Sequence, residues 1–129
     1  MTSRRLIQAQ RNVFQCGNST IVEIICDIWL RDQIVATPVV NLRSARSVVI
    51  YAQNLEELPV SICIQSSYDG RNFINEPEVL CLGCREIDSI VPCRIPRFMR
   101  AVAVRNSYIN KSYGCNHNSR ARLWFIIER

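Results

Sequence analysis

A single histidine (His117), a single lysine (Lys111) and only four glycines set the first limits on what this chain can do. The lone histidine lies in Tyr113-Gly114-Cys115-Asn116-His117-Asn118, a loop by composition, and no Ser-His-Asp pattern is present. A Cys-His pair using Cys115 or Cys93 is the one nucleophilic arrangement these residue types allow, and no strand-end nucleophile motif accompanies it. The glycines form no phosphate loop, and the acids Glu56, Glu57 and Asp69 sit in turns rather than in a paired-carboxylate pattern. The expectation is a protein that is not an enzyme and needs no cofactor. Long apolar runs are missing too: Ile24-Ile25-Cys26 is closed off by Glu23 and Asp27, so no transmembrane helix is expected. The charged start Met1 to Arg5 is followed by Leu6 to Gln10, which carries two glutamines where a signal peptide needs an apolar stretch. Synthesis in the cytoplasm without export by the standard route follows as an expectation.

Lysine scarcity has a counterpart. The net charge of +5 rests on fifteen arginines. Arginine forms planar bidentate pairs with carboxylates and carbonyls, whereas lysine mainly keeps a surface hydrated, so the bias points to contacts rather than solubility. A nucleic-acid surface wants those arginines on one face with aromatics interleaved. Here they are scattered from Arg4 to Arg129, which argues against a nucleic-acid partner.

What the chain has in quantity is alternation. At 129 residues, 48% hydrophobic and 21% charged, it has the composition of one globular domain. From Thr20 to Leu30, Val22, Ile24, Cys26, Ile28 and Leu30 fall on one face, and Ile21, Glu23, Ile25, Asp27 and Trp29 on the other. Ser47 to Asn54 repeats the pattern, and so do Val60-Ile62-Ile64 after Pro59, Arg97 to Arg105, and Arg120 to Glu128. Shorter candidates are Gln33 to Val40, Pro77 to Leu82 and Glu86 to Val91. Period two with turn signals between the runs predicts an all-β fold, an antiparallel β-sandwich or jelly roll of about eight strands over residues 20–129. Residues 1–19, rich in amides and ending at Gly17-Asn18, read as a flexible N-terminal arm. Several residues on the outward faces are apolar: Ile21, Ile25, Trp29, Val49, Tyr51 and Cys63. That is more exposed apolar surface than a monomer normally shows, and Ile21, Ile25 and Trp29 become interface candidates.

Seven cysteines, an odd number, leave at least one thiol free or bonded to another chain. Cys81-Leu82-Gly83-Cys84 has the spacing of one zinc knuckle, which Cys93, Cys115 and His117 can complete. Cross-links within or between chains can draw on Cys16, Cys26, Cys63, Cys81, Cys84, Cys93 and Cys115. Buried, inert thiols are the third alternative. Many cysteines without a signal peptide suit a protein that meets oxidising surroundings only after its cell lyses.

Ser66-Ser67-Tyr68-Asp69-Gly70-Arg71-Asn72-Phe73 carries the strongest turn signal, because Asp69-Gly70 supplies the positive backbone angles of a tight hairpin, after which Phe73 returns to cover the core. This segment, followed by Glu76-Pro77-Glu78-Val79, Ile90-Val91-Pro92, Arg97-Phe98-Met99-Arg100 through Arg105, and Leu123-Trp124-Phe125, resembles an uncharacterised bacterial β-sandwich domain of unknown function found mainly in Gram-positive spore-formers. The resemblance spans Ser44 to Glu128 and departs from the pattern at Tyr68 and Cys84. It implies a β-sandwich and transfers no catalytic residue. At the level of architecture the chain is also similar to endospore appendage subunits, short cysteine-bearing β-sandwiches with an N-terminal connector. That similarity implies an arm that reaches a neighbouring copy through Phe14 and Cys16, a homopolymer, and a final place on a spore or other extracellular surface after lysis. A carbohydrate- or surface-binding sandwich using Trp29, Tyr51, Tyr68 and Trp124 is the alternative, and a phage virion component the third.

Overall fold

A computed structural model describes residues 7–30, 34–105 and 119–129. It holds two antiparallel sheets packed face to face, and all described regular structure is β. The first sheet runs β1 (Ile7–Cys16), β2 (Ser19–Leu30), β10 (Ser119–Glu128), β5 (Ser47–Asn54), β8 (Ile87–Ile90) in spatial order. The second runs β3 (Val35–Ala36), β9 (Phe98–Arg105), β6 (Val60–Ser67), β7 (Ile74–Leu82), with β4 (Val40–Asn41) also paired to β9. No helix among the described residues is long and apolar enough to cross a membrane.

The inward faces are the ones that alternation selects. Val22, Cys26, Ile28 and Leu30 of β2, Val48, Ile50 and Ala52 of β5, and Leu123, Phe125 and Ile127 of β10 are all buried. They meet Val60, Ile62 and Ile64 of β6 and Met99, Ala101 and Ala103 of β9 in one core. Such a layer is what period-two burial between two sheets produces. At its upper end Asn54 is fully buried, and its Nδ2 donates to Leu58 O (2.8 Å), Gly83 O (2.9 Å) and Leu82 O (3.3 Å). Its Oδ1 accepts from Glu56 N at 3.0 Å. One side chain thereby ties the end of β5 in the first sheet to the end of β7 in the second.

Three expectations are revised. The Gln33 to Val40 run is two short strands, because Pro38 has no N–H to donate. Thr37 keeps the ladder closed across the break: its N donates to Ala101 O and its Oγ1 accepts from Ala101 N. The Asp69-Gly70 turn is not a two-residue hairpin. Gly70 does have φ +79°, but Ser67 Oγ accepts from the amides of Asp69 and Gly70, and Asp69 accepts from the amides of Arg71 and Asn72. Those amide bonds, with Asn72 and Ser67 side chains, hold the Asp69 carboxyl well below the usual carboxylate range. Phe73 leaves this loop on the outer side of the second sheet. It stacks on Arg100, 4.0 Å from guanidinium carbon to ring centre, and does not cover the core.

The N-terminal segment also differs. Residues 7–16 form β1, which pairs with β2 from Ile7↔Ile28 to Cys16↔Ser19 through a turn at Gly17, whose φ is +63°. Both faces of β1 are nonetheless open: Val13 is 55% and Phe14 52% exposed. The segment is an edge strand with little buried side chain rather than a loose arm.

Candidate functional site

Pairing register shows how the outward apolar residues are grouped. On the outer face of the first sheet Ile25 stands beside Trp124, and Trp124 beside Tyr51. Ile126 stands beside Val49, and Phe14 beside Ile21. Directly opposite residues on one face of an antiparallel pair lie close enough to interact, so Ile25, Trp124, Tyr51, Ile126 and Val49 form one apolar field, with the Phe14–Ile21 pair set off from Ile25 by Glu23, which accepts from Asn12 Nδ2 at 3.1 Å. Tyr51 is 42% exposed. Ile21 and Ile25 lie on the same outward face of β2, with Glu23 between them. Trp29 does not join the field, because the next row along is the Asp27–Arg122 ion pair at 2.6 Å. Trp29 lies beyond it, opposite Arg120, whose Nε is bonded to Glu56 at 2.8 Å. Ile126 was not singled out from sequence, although it occupies an outward position of the same alternation.

The six described cysteines are all free thiols. Cys26 points inward, is 1% exposed, and burial, with the Asp27 charge adding to it, pushes its pKa up to about 11. It is the inert kind. Cys63 is half-buried on the outer face of the second sheet, with Asn75 Oδ1 3.6 Å from its sulfur. Cys16, Cys81, Cys84 and Cys93 are exposed. Cys16 ends β1, one edge of the first sheet; Cys81 lies on β7, Cys84 just beyond it, and Cys93 just beyond β8, the opposite edge. Between β7 and β8 Cys93 lines a small hollow of about 120 Å³ with Ile64, Pro77, Ile90, Pro92, Glu76 and Glu78. Among the described residues no group of three or more His, Cys, Asp or Glu is placed to hold a metal ion. Cys115 and His117, the remaining members of the zinc set, lie outside the described residues.

This partition has a measurable consequence. Brief alkylation of the reduced native protein at pH 8 should label Cys16, Cys81, Cys84 and Cys93 and leave Cys26 at least about 100-fold slower, since both thiolate fraction and access are cut. Peptide mapping by mass spectrometry checks it; labelling of Cys26 at the rate of the others would mean that the inner face is not closed.

No family model matches the chain, and no curated protein does. The resemblance over Ser44 to Glu128 therefore stands on its motifs alone. Among solved structures the fold is similar to a chain from work titled "Bacillus endospore appendages form a novel family of disulfide-linked pili", at 13% identity and TM-score 0.54, over 91% of this chain and 96% of that one. It is also similar, at TM-score 0.40 and 10% identity, to the Schizosaccharomyces pombe Cnp3 cupin domain, over 97% of this chain and 65% of that one. A third likeness, at TM-score 0.36 and 12% identity, is to cobalt(II) HppE in complex with substrate, covering 92% of this chain and 51% of that one. The first supports the β-sandwich; the other two fall too low to add to it.

Proposed function

We propose that the chain is a non-enzymatic structural subunit that self-assembles into a filament or surface layer through its sheet edges and N-terminal segment. The observation that carries this is the placement of thiols and edges. One side of the sandwich presents β1 and Cys16; the other presents β7 and β8 with Cys81, Cys84 and Cys93. Unlike surfaces on opposite sides make a heterologous contact, which repeats without closing and yields open polymers. Exposed edge strands are the usual templates for such pairing. Cysteines that meet between copies then resist dissociation, and oxidising surroundings after lysis let them join. The fold likeness to a chain from disulfide-linked pili agrees with this reading and with a place on a spore or other extracellular surface.

The test is the non-reduced purified protein at micromolar concentration. Size exclusion should give large or polydisperse species, negative-stain microscopy should show extended assemblies, and a non-reducing gel should show a ladder that collapses with reductant. A clean monomer in all three sinks the proposal. A second reading, a glycan-binding surface, is favoured by one observation, the side-by-side Trp124 and Tyr51 on an open sheet face. A monomer that shifts only on adding polysaccharide would support it instead.

A further inference from the structure

At the end of the sandwich where β5 begins, a cleft of about 410 Å³ is lined by Leu42, Arg43, Ser44, Ala45, Ile95, Pro96 and Arg97. Its two walls are the turn between β4 and β5 and the segment that enters β9. They are locked together, since Leu42 N donates to Arg97 O at 2.8 Å and Ala45 N donates to Leu42 O at 3.0 Å. Asn41 Oδ1 holds Arg43 N at 3.0 Å, and Ser44 makes the corner in the left-handed region at φ +65°. Buried Leu42 forms part of the lining.

Two arginines face this cleft and no acid does. Neither Arg43 nor Arg97 forms an ion pair among the described residues, where the side-chain ion pairs join Arg120 to Glu56 and Arg122 to Asp27. The Arg97 guanidinium lies over the Phe98 ring, 5.6 Å from its centre. The surroundings are also basic. Arg46 donates to Ser19 Oγ and Arg129 O, both at 3.0 Å, and Arg129 donates to Asn41 O at 3.1 Å. Two acids lie near this end outside the lining: Asp69, which closes its own turn, and Glu128, which accepts from Ser47 Oγ at 3.5 Å. Glu56, Glu57, Glu86 and Asp88 lie toward the opposite end, with the C-terminal end of β5. Arg43, Arg46, Arg97 and Arg129 thus meet at this end of the fold, while Arg85, Arg105 and Arg120 lie toward the other.

We infer that this cleft binds a phosphate group. Guanidinium matches tetrahedral oxyanions through paired N–H donors. Two of them balance a phosphate monoester, which carries about −1.5 to −2 at neutral pH, whereas a carboxylate leaves one charge unmet. The phosphate can belong to a small molecule or to an anionic polymer; the chemistry recognised is the same. Nothing in this inference depends on self-assembly.

The experiment uses the reduced full chain. Inorganic phosphate, titrated against chloride at matched ionic strength, should raise the melting midpoint with saturation in the millimolar range. Arg43→Gln with Arg97→Gln should weaken that binding at least about tenfold, the size expected for losing charged hydrogen bonds. Arg11→Gln with Arg85→Gln removes the same charge elsewhere on the surface and should change it less than about twofold. The midpoint of both double variants in chloride shows that they are folded. Polyphosphate held more tightly than free phosphate by the same two arginines would mark a polymer as the source; equal affinity would mark a small molecule. A phosphate effect no larger than that of chloride overturns the inference, and so does an equal loss in the two double variants.

Discussion

Deleting residues 1–18 should leave a folded sandwich that no longer forms long assemblies. None of the buried core side chains comes from β1, and Ile7 is its one half-buried apolar residue packed against the core. The first sheet stays closed without it: Thr20 N donates to Arg129 O, Arg129 N donates to Thr20 O, and β2 remains paired to β10 along its length. The cost to the monomer is therefore small, a fall of no more than about 5 °C in melting midpoint. Assembly loses a whole edge strand, the exposed Val13 and Phe14, and Cys16. The expected loss is complete by size exclusion and negative stain. Cys16→Ser should be milder, since it removes only a covalent lock; its assemblies should form and then come apart at lower denaturant. If the truncated chain polymerises as readily as the full one, β1 is not the contact. The field of Ile25, Trp124 and Tyr51 on the outer face becomes the place to mutate next.

The largest expected effect on stability belongs to Asn54→Leu. Leucine shares asparagine's branching at Cγ, though it is bulkier, and offers nothing to the carbonyls of Leu58, Leu82 and Gly83 or to the amide of Glu56. The position is fully buried, so these groups lose their partner where water does not replace it freely. Each unsatisfied group costs about 1–3 kcal/mol, and with partial relaxation a total of about 3 kcal/mol is expected. For a domain of this size that lowers the melting midpoint by roughly 10 °C. Thermal unfolding followed by circular dichroism in the β region measures it. A change below about 1 kcal/mol would mean that the two sheets do not depend on this staple.

Why some of this could be read from the sequence and some could not comes down to burial. β2, β5, β6, β9 and β10 have one face against the core, so hydrophobic residues recur every second position and the strands declare themselves. The boundaries of β5 coincide with those expected, Ser47–Asn54. β1 has neither face buried, so Gln8, Gln10 and Asn12 alternate with Ala9, Arg11 and Val13 and no apolar period appears. Its pairing is decided by backbone hydrogen bonds and by the turn at Gly17-Asn18, which were visible only as punctuation. Register is likewise absent from a one-dimensional pattern. Ile21, Ile25 and Trp29 look equivalent along β2, yet Asp27, paired to Arg122 of β10, stands between Ile25 and Trp29, and only Ile25 faces Trp124. The arginine cleft escaped notice for the same reason, because Arg43 and Arg97 come from segments that meet only after β4 pairs with β9.

Two of the four edge strands, β1 of the first sheet and β7 of the second, also differ in quality. β1 offers ten consecutive residues without a proline. β7 is interrupted: Pro77 sits where its pairing with β6 shifts register between Cys63 and Gln65, and past Glu78 only Val79 to Leu82 continue in register. A proline in an edge strand denies a hydrogen bond to any incoming strand, and a register shift bends the edge away from it. Copies that join edge to edge can therefore match only over a short, fixed stretch at β7, while β1 accepts a full-length partner. If copies do join in this way, growth has a direction and a partner cannot slide to a new alignment. The molecule also stays clear of the long, flat, mutually interchangeable edges on which amyloid depends.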